Sequence, residues 1–438
     1  MNEPRITLYG AFWCPDCHRS KQFLGEHQVP YHWVDVEESP EGERFVLAAN
    51  AGKRRIPTLA FEDGTVLTNP TNAELSAKLG LKTSALRRHY DLIVVGGGPA
   101  GLTAGLYTAR EGIATLVVER AAPGGQAAAT MHLDNVPGFP DGVGGHELGR
   151  RLRAQAERFG VELLQAQDVV DVTRRGSYHW VRTADGQEYG ARAVLLAMGS
   201  RYRRLGVPGE EEYLGAGVHF CATCDGPIYR GRPVAVVGGG NSAAEESLLL
   251  ARMVDSVTLL VRGEALRASR VIQDEVLSHP RIDVRFRRAV EGFAGADSKL
   301  HTVEVRNLAS GALEELRVPG TFVFIGLDPN TSFLRGSNVR LDEAGFVVTG
   351  HDLVHDGDRP PGLETRDPAR LETSMPGVFA VGDLRAGSTR QVASAAGDGA
   401  AAALEVRDHL KRTQAEAGWT VARWPQGEPA RLEAQRTA

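Results

Sequence analysis

Four cysteines occur in the 438 residues, and they fall as two C-x-x-C pairs, Cys14 with Cys17 and Cys221 with Cys224. Two thiols at that spacing can form a disulfide, exchange with another one, or clip a metal. The pairs stand too far apart in sequence for a zinc ribbon, so no metal is expected and sulfur redox chemistry is the reading. A thiol at a helix N-terminus feels the aligned N–H dipoles, which favour thiolate. Cys14 opens a predicted helix and is therefore the expected attacking sulfur, with Cys17, one turn deeper, resolving the mixed disulfide. The second pair lies in residues 218–245, where an apolar strand and a Gly-rich turn follow it within one short loop. A dithiol beside a nucleotide-binding turn points to pyridine-nucleotide redox chemistry on sulfur.

The elements that must position these sulfurs divide into three units. Residues 4–80 read as strand (5–9), helix (to 27), strand (31–36), helix (41–50), two strands joined by the Asp63-Gly64 turn (58–61 and 66–67), and a last helix. That helix opens on the capping box Thr71-x-x-Glu74 and stops at Gly80. Residues 81–89, LKTSALRRH, read as a linker; nine extended residues reach about 30 Å, enough for the first dithiol to visit the second.

From Tyr90 the pattern becomes a dinucleotide unit. A strand leads into Gly96-x-Gly98-x-x-Gly101, with Pro99 and Ala100 between, which opens a helix, and a second strand ends at Glu119. Glycines permit the turn and the approach of a pyrophosphate to the helix N-terminus, and Glu119 is placed to bind a ribose hydroxyl pair. The unit then repeats. Residues 94–101, VVGGGPAG, match residues 236–243, VVGGGNSA, and bring Gly238, Gly240, Asn241, Ser242 and Ala243 into the same roles. In that register Glu119 falls on Val261 and Arg120 on Arg262. A carboxylate would repel the 2′-phosphate of NADPH and a guanidinium would bind it, so Arg262 and Arg267 favour NADPH over NADH.

CATCDG followed by GGGNSAAE resembles the low-molecular-weight thioredoxin reductases, and residues 90–412 carry the resemblance throughout. It implies an α/β fold in which an FAD-binding domain (90–203 and 326–412) is split by an inserted NADPH domain (204–325) that holds the redox C-x-x-C. Residues 123–126, with Gly125 and Gln126, and 135–139, with Asn135, match FAD-contact segments. So do residues 377–383, with Gly382 and Asp383, and Arg390-Gln391-Val392, where a helix N-terminus would face the flavin. By the same resemblance Cys224 is the sulfur nearer the flavin, Cys221 attacks the outgoing disulfide, and Asp225 supplies or relays a proton. The NADPH domain is expected to swing about hinges near 203 and 326, and the protein is expected to be a homodimer. Residues 1–82 are similar to a glutaredoxin, a thioredoxin-like fold, which implies a cis Pro57 facing the dithiol. Residues 67–71, LTNPT, replace the usual Gly-Gly-x-Asp turn and look more like the mycoredoxin branch, so a low-molecular-weight thiol other than glutathione, or a protein disulfide, is an open acceptor.

Composition fits this reading. A hydrophobic fraction of 42% with 51 glycines suits a soluble α/β protein with many tight turns, and a net charge of -5 with both signs interspersed suggests neither nucleic acid nor a membrane surface. The absence of a signal-like or spanning segment makes the expected location cytoplasmic. Residues 351–372 read as a polar surface loop, and residues 413–438 as a polar tail without cysteine. The expected function is an NADPH- and FAD-dependent disulfide reductase serving a thioredoxin- or glutaredoxin-type disulfide, the fused Cys14/Cys17 unit included. A peroxiredoxin reductase, a class that pairs this core with two thioredoxin-like folds where this chain has room for one, and a redox-sensing flavoprotein with little turnover are the alternatives.

Overall fold

A computed structural model of the chain describes residues 6–11, 13–27, 29–129, 133, 135–296, 299–354 and 359–416; the side chains of Glu26, Ala129, Thr223, Cys224 and Glu416 are outside it. The tail from 417 onward lies beyond the described residues. The first unit runs β1 (Ile6–Gly10), α1 (Pro15–Glu26), β2 (His32–Asp35), α2 (Pro40–Ala49), β3 (Thr58–Phe61), β4 (Val66–Thr68) and α3 (Asn72–Lys78), in the expected order. Its sheet has the strand order β2-β1-β3-β4, with β1 parallel to β2 and antiparallel to β3. Ile6, Leu8, Phe23, Leu24, Leu59 and Leu75 form its core. Local chemistry sets each helix start: Cys14, Ser39 and Thr71 each accept a backbone N–H with the side chain, and Thr71 with Glu74 completes the capping box.

The stretch that reads as a free tether is tied down. Glu162 accepts from Lys82 Nζ (2.8 Å), from the Leu86 N–H (2.6 Å) and from the Tyr90 hydroxyl (2.6 Å), while the Tyr189 and Tyr90 hydroxyls receive the Ala85 and Arg87 N–H groups. Ala166 also packs into the core of the first unit. With its backbone bound at these points, the linker reaches less far than an extended chain of its length.

Strand β5 (His89–Val95), helix α4 (Pro99–Arg110) and strand β6 (Thr115–Val118) form the first nucleotide unit. Beyond β6 lies Glu162–Leu164, and on the other side of β5 lies Glu188–Leu196, both parallel to their neighbours; the hairpin Val169–Arg175 and Tyr178–Thr183 extends the sheet. Far along the chain, Val378–Ala380 pairs in parallel with Glu188–Leu196, and the long helix Val392–Glu416 packs on α4 through Ala395, Ala402 and Val406. The sheet is therefore completed by a strand that follows the whole intervening segment in sequence. That segment holds an all-parallel sheet in the order Val218–His219, Thr321–Val323, Val234–Val237, Val257–Val261, Ile282–Phe286, with a three-stranded antiparallel sheet against it. Its strands are nearly continuous apolar runs because both faces are covered. The chain crosses between the two bodies on Ser200–Tyr202 and Leu327–Pro329, which pair antiparallel with each other. The α/β class with one thioredoxin-like and two Rossmann-like units is the architecture observed.

The stretch 351–372 is more than a surface loop. Leu353, Leu363 and Leu371 are fully buried, and so is Glu372, which takes two nitrogens of Arg366 at 2.6 and 2.7 Å. Among the described residues no helix is long and apolar enough to cross a membrane, and no cluster of side chains could hold a metal ion.

Candidate functional site

The first dithiol sits where β1 ends and α1 begins. Cys14 is the N-cap, and its Sγ accepts the Cys17 N–H at 3.2 Å; Pro15 takes the first helical position, where a missing N–H costs nothing. Cys17 is fully buried and Cys14 is 4% exposed; both are free thiols. Gly10 makes that burial possible, because a Cβ there would lie 2.6 Å from Cys17 Sγ and 2.8 Å from the Trp33 ring. Burial pushes the Cys17 thiol up to about 12, aided by its neighbour Cys14. The two sulfurs are thus unequal: one capped by a backbone N–H, one sealed and held protonated. The Ile56–Pro57 bond is cis, and Ile56 O stands 4.0 Å from Cys14 Sγ. Arg19 reaches from α1 to Asn69 Oδ1 (3.1 Å) and Pro70 O (2.9 Å), which fixes the LTNPT stretch beside the dithiol. At the start of α3 the Thr71 N–H donates to Glu74 Oε2 (2.7 Å) and the Glu74 N–H to Thr71 Oγ1 (3.2 Å).

The two Gly-rich turns share a construction that distinguishes them from the side-chain-capped helix starts of the first unit. Gly98 and Gly240 are the N-caps of α4 and of Asn241–Leu250, the helix carrying Ser242 and Ala243, and neither N-cap has a side chain to satisfy the first N–H groups. Those donors are left for an anion. At the first turn Gly96 has φ +105°, and added Cβ atoms at Gly96 and Gly101 would strike the backbone of Ala197 and Gly96. Gly125 and Gly98 pack closely without side chains, a Cβ on Gly125 falling 3.2 Å from Gly98 Cα, so bare backbone borders the turn beside Pro99. Glu119 is buried at its edge, accepting from the Gly97 N–H (2.6 Å) and the Ala121 N–H (2.8 Å); burial drives its carboxyl up and these donors oppose the rise.

Segments remote in sequence meet around this turn. Asn135 Nδ2 donates to Gln391 Oε1 at 2.9 Å, Gln126 bonds the Ser200 carbonyl, and Gly382 packs against Ala100. Asp383 is largely buried and its carboxyl is raised by that burial, with Arg390 opposing. Val392 begins the long helix at the same place. Three buried polar atoms here have no partner among the described residues: Ser200 Oγ, Arg390 Nε and Glu246 Oε2. A dinucleotide with a polar ring system fits such a lining: uncapped helix ends for its phosphates, a carboxylate for its ribose, and unpaired groups for the ring. The second turn is bordered by Arg262 and Arg267, both exposed, and the Arg267 N–H donates to the Gly239 carbonyl at 2.6 Å. No carboxylate occupies the place that Glu119 takes in the first unit, where Val261 stands buried.

The second dithiol lies between these turns. Cys221 is disulfide-bonded and precedes the single turn Ala222–Asp225; the Cys224 side chain is outside the described residues. Asp225 stands one turn after Cys221, and its N–H bonds the Cys221 carbonyl at 3.1 Å. Three residues here escaped the motif reading. Tyr202, from the crossing strand, stacks on Phe220 beside the disulfide with centroids 5.0 Å apart. Burial pushes its hydroxyl up to about 12, and Asp383, Arg390, Asp225 and Glu246 all act on it. One tyrosine therefore feels groups from both flavin segments and from the dithiol loop at once. His219, the second, contacts Asp225, and Tyr229, the third, bonds the other nitrogen of His219. Nothing periodic marks these residues, which sit in short irregular segments.

Comparison with known proteins agrees with this geometry. Residues 90–399 match the model for the pyridine nucleotide-disulphide oxidoreductases, and residues 6–66 match that for glutaredoxin. The chain is 37% identical over 325 residues to a thioredoxin reductase of Treponema pallidum, covering 74% of this chain and 98% of that protein. It is 42% identical over 327 residues to a bifunctional thioredoxin reductase/thioredoxin of Mycobacterium leprae, covering 75% and 67%. Among solved structures, a thioredoxin reductase from Streptococcus pyogenes superposes with a TM-score of 0.66 at 35% identity, covering 74% of this chain and 99% of that one. The chain belongs to the thioredoxin reductase family, flavoprotein disulfide oxidoreductases that use FAD and NADPH, and it carries a glutaredoxin domain on its N-terminal side.

Proposed function

We propose that this reductase carries its own first acceptor, so that reducing equivalents reaching Cys221 and Cys224 pass to Cys14 and Cys17 and from there to an external disulfide. One observation carries the reading: a second dithiol with unequal sulfurs, Cys14 at a helix N-cap and Cys17 sealed beneath it, stands in the same polypeptide as the reductase. Fusion keeps the acceptor at an effective concentration of about millimolar, whatever the supply of free thioredoxin. The name of the Mycobacterium leprae relative likewise joins a reductase to a thiol-disulfide protein.

FAD would be held by the turn of Gly96, Gly98, Pro99, Ala100 and Gly101, with Glu119 on its ribose and Gly125, Gln126, Asn135, Gly382, Asp383, Arg390, Gln391 and Val392 around the rest. NADPH would lie on Gly238, Gly240, Asn241, Ser242 and Ala243, with Arg262 and Arg267 taking its 2′-phosphate. When bound, the two cofactors supply hydride transfer and the electron pair for the disulfide. The chain's residues do the rest. Cys221 attacks the acceptor disulfide, Asp225 gives the proton that the departing sulfur needs, and Cys224 closes on Cys221. At the second centre Cys14 attacks, Cys17 resolves and Pro57 lines the approach. The paired crossing strands Ser200–Tyr202 and Leu327–Pro329 are the hinges on which the NADPH domain, about residues 204–325, turns against the flavin domain of 90–203 and 326–412. A homodimer working in the cytoplasm completes the reading.

The test of the reductase centre is Cys221→Ser. NADPH oxidation driven by a protein disulfide is expected to fall to background, while NADPH oxidation driven by ferricyanide, which takes electrons without the dithiol, stays within about twofold of the parent. Continued disulfide turnover in this variant would remove Cys221 from the path.

A further inference from the structure

Asp225 is not alone. His219, two residues before Cys221, is 3% exposed, and its Nδ1 lies 3.2 Å from Asp225 Oδ2. Its other nitrogen, Nε2, lies 2.7 Å from the hydroxyl of Tyr229, itself 5% exposed. The ring is clamped in place as well: it stacks on Phe322 with centroids 5.3 Å apart and meets Tyr229 edge to face. The charged or titratable groups facing this network are few. Tyr202 interacts electrostatically with Asp225 from the crossing strand, Arg232 lies 6.0 Å from the Tyr229 ring, and Phe322 brings no charge from the strand beneath.

A bare Nδ1 would set a lone pair against the carboxylate, so Nδ1 carries the proton and donates to Asp225, whether Nε2 is bare or protonated. With Nε2 bare, the Tyr229 O–H donates to it, and the chain of donors runs in one direction from Tyr229 through His219 to Asp225. One carboxyl oxygen is thereby fixed, one helical turn from Cys221, and the other is left for the proton in play.

We propose that His219, its ring held between Tyr229 and Asp225, is a positioning residue for Asp225 in the exchange step. This rests on the reading of Asp225 as proton donor given above. In that step the Cys221 sulfur bonds to one sulfur of the acceptor, the acceptor S–S bond breaks, and its electron pair leaves on the other sulfur. That sulfur takes the proton from the Asp225 carboxyl, and the carboxylate left behind is held by the His219 Nδ1–H. Removing the donor leaves that carboxylate oxygen unheld and lets the side chain turn away.

The test uses the full chain with its cofactors and compares His219→Leu, which removes the donor, with His219→Asn, whose amide N–H stands where Nδ1–H stood, and with Asp225→Asn. Two readouts are followed against pH: NADPH oxidation with a thioredoxin disulfide and with ferricyanide. In His219→Leu, disulfide turnover is expected to fall about tenfold or more, and the alkaline limb of its pH–rate profile to move by about half a pH unit or more. His219→Asn recovers most of the rate and the parent limb, and ferricyanide turnover holds in both. An unchanged rate and limb in His219→Leu overturns the proposal. So does equal loss in the Leu and Asn variants with the limb unmoved, since that is a structural role; if His219→Leu does not fold, the limb in His219→Asn decides alone. Should Asp225→Asn retain full turnover, the reading of Asp225 itself falls, an outcome distinct from His219 alone proving dispensable.

Discussion

Gly101→Ala is expected to yield a protein that neither holds flavin nor folds stably. The added Cβ would lie 1.9 Å from the Gly96 carbonyl oxygen and 3.1 Å from Val94 Cγ1. The first obstacle is backbone in the turn that joins β5 to α4, so no side chain can swing aside, and α4 would have to lift from a sheet whose strands are fully buried. Overpacking of this kind against backbone costs about 3 kcal/mol or more. The loss falls on the element that offers the first pyrophosphate site. Flavin content of the purified protein and its thermal midpoint measure it. A variant on the helix that packs against the same turn gives the contrast. A Cβ on Gly399 would meet the Ala100 carbonyl at 2.2 Å, whereas one on Gly397 meets nothing within 4 Å. Gly397→Ala is therefore expected to be neutral or to stabilise by about 0.5–1 kcal/mol. Normal flavin content in Gly101→Ala would mean that the β5–α4 turn is not built as described.

Glu372→Ala is expected to destabilise the chain by about 3–5 kcal/mol. Burial alone would push this carboxyl up, but Arg366 and the N–H groups of Ala369 and Gly377 hold it below the ordinary range, so it is a charged group enclosed by four donors. Truncation takes the acceptor from two buried N–H groups and from two nitrogens of the partly exposed Arg366 guanidinium. The damage spreads by connection: Glu372 bridges to Phe379 in the strand Val378–Ala380, which leads directly into Gly382 and Asp383. Denaturant unfolding followed by flavin fluorescence is the measurement. A change under about 1 kcal/mol would show that the pair is dispensable.

The same residues show what a sequence reveals and what it hides. Both Gly-rich turns were legible because a strand, a turn and a helix in register constrain each other, and because the second copy repeats the first with one informative change, Glu119 to Val261. The first unit was legible for similar reasons, its caps and its Asp63-Gly64 turn being local. Glu372 and its loop were not. A Pro-, Gly- and Asp-rich stretch reads as surface, and its buried leucines at 353, 363 and 371 follow no helical or strand period. The bound linker was equally hidden, since its backbone groups pair with Glu162 and Tyr189, side chains more than seventy residues away. His219 and Tyr229 stand ten residues apart in a segment of single turns, where only folding sets Tyr229 on His219 and His219 on Asp225. Local chemistry is written in spacing; contacts between irregular segments are not.

The central claim is that the fused domain takes the electrons first. It is tested most directly by NADPH oxidation with a small disulfide as acceptor and no added thioredoxin, comparing the intact chain with Cys14→Ser. If the domain is the relay, turnover in the variant falls at least tenfold and returns when free thioredoxin is supplied. Turnover equal to that of the intact chain would contradict the account and leave the N-terminal dithiol outside the path.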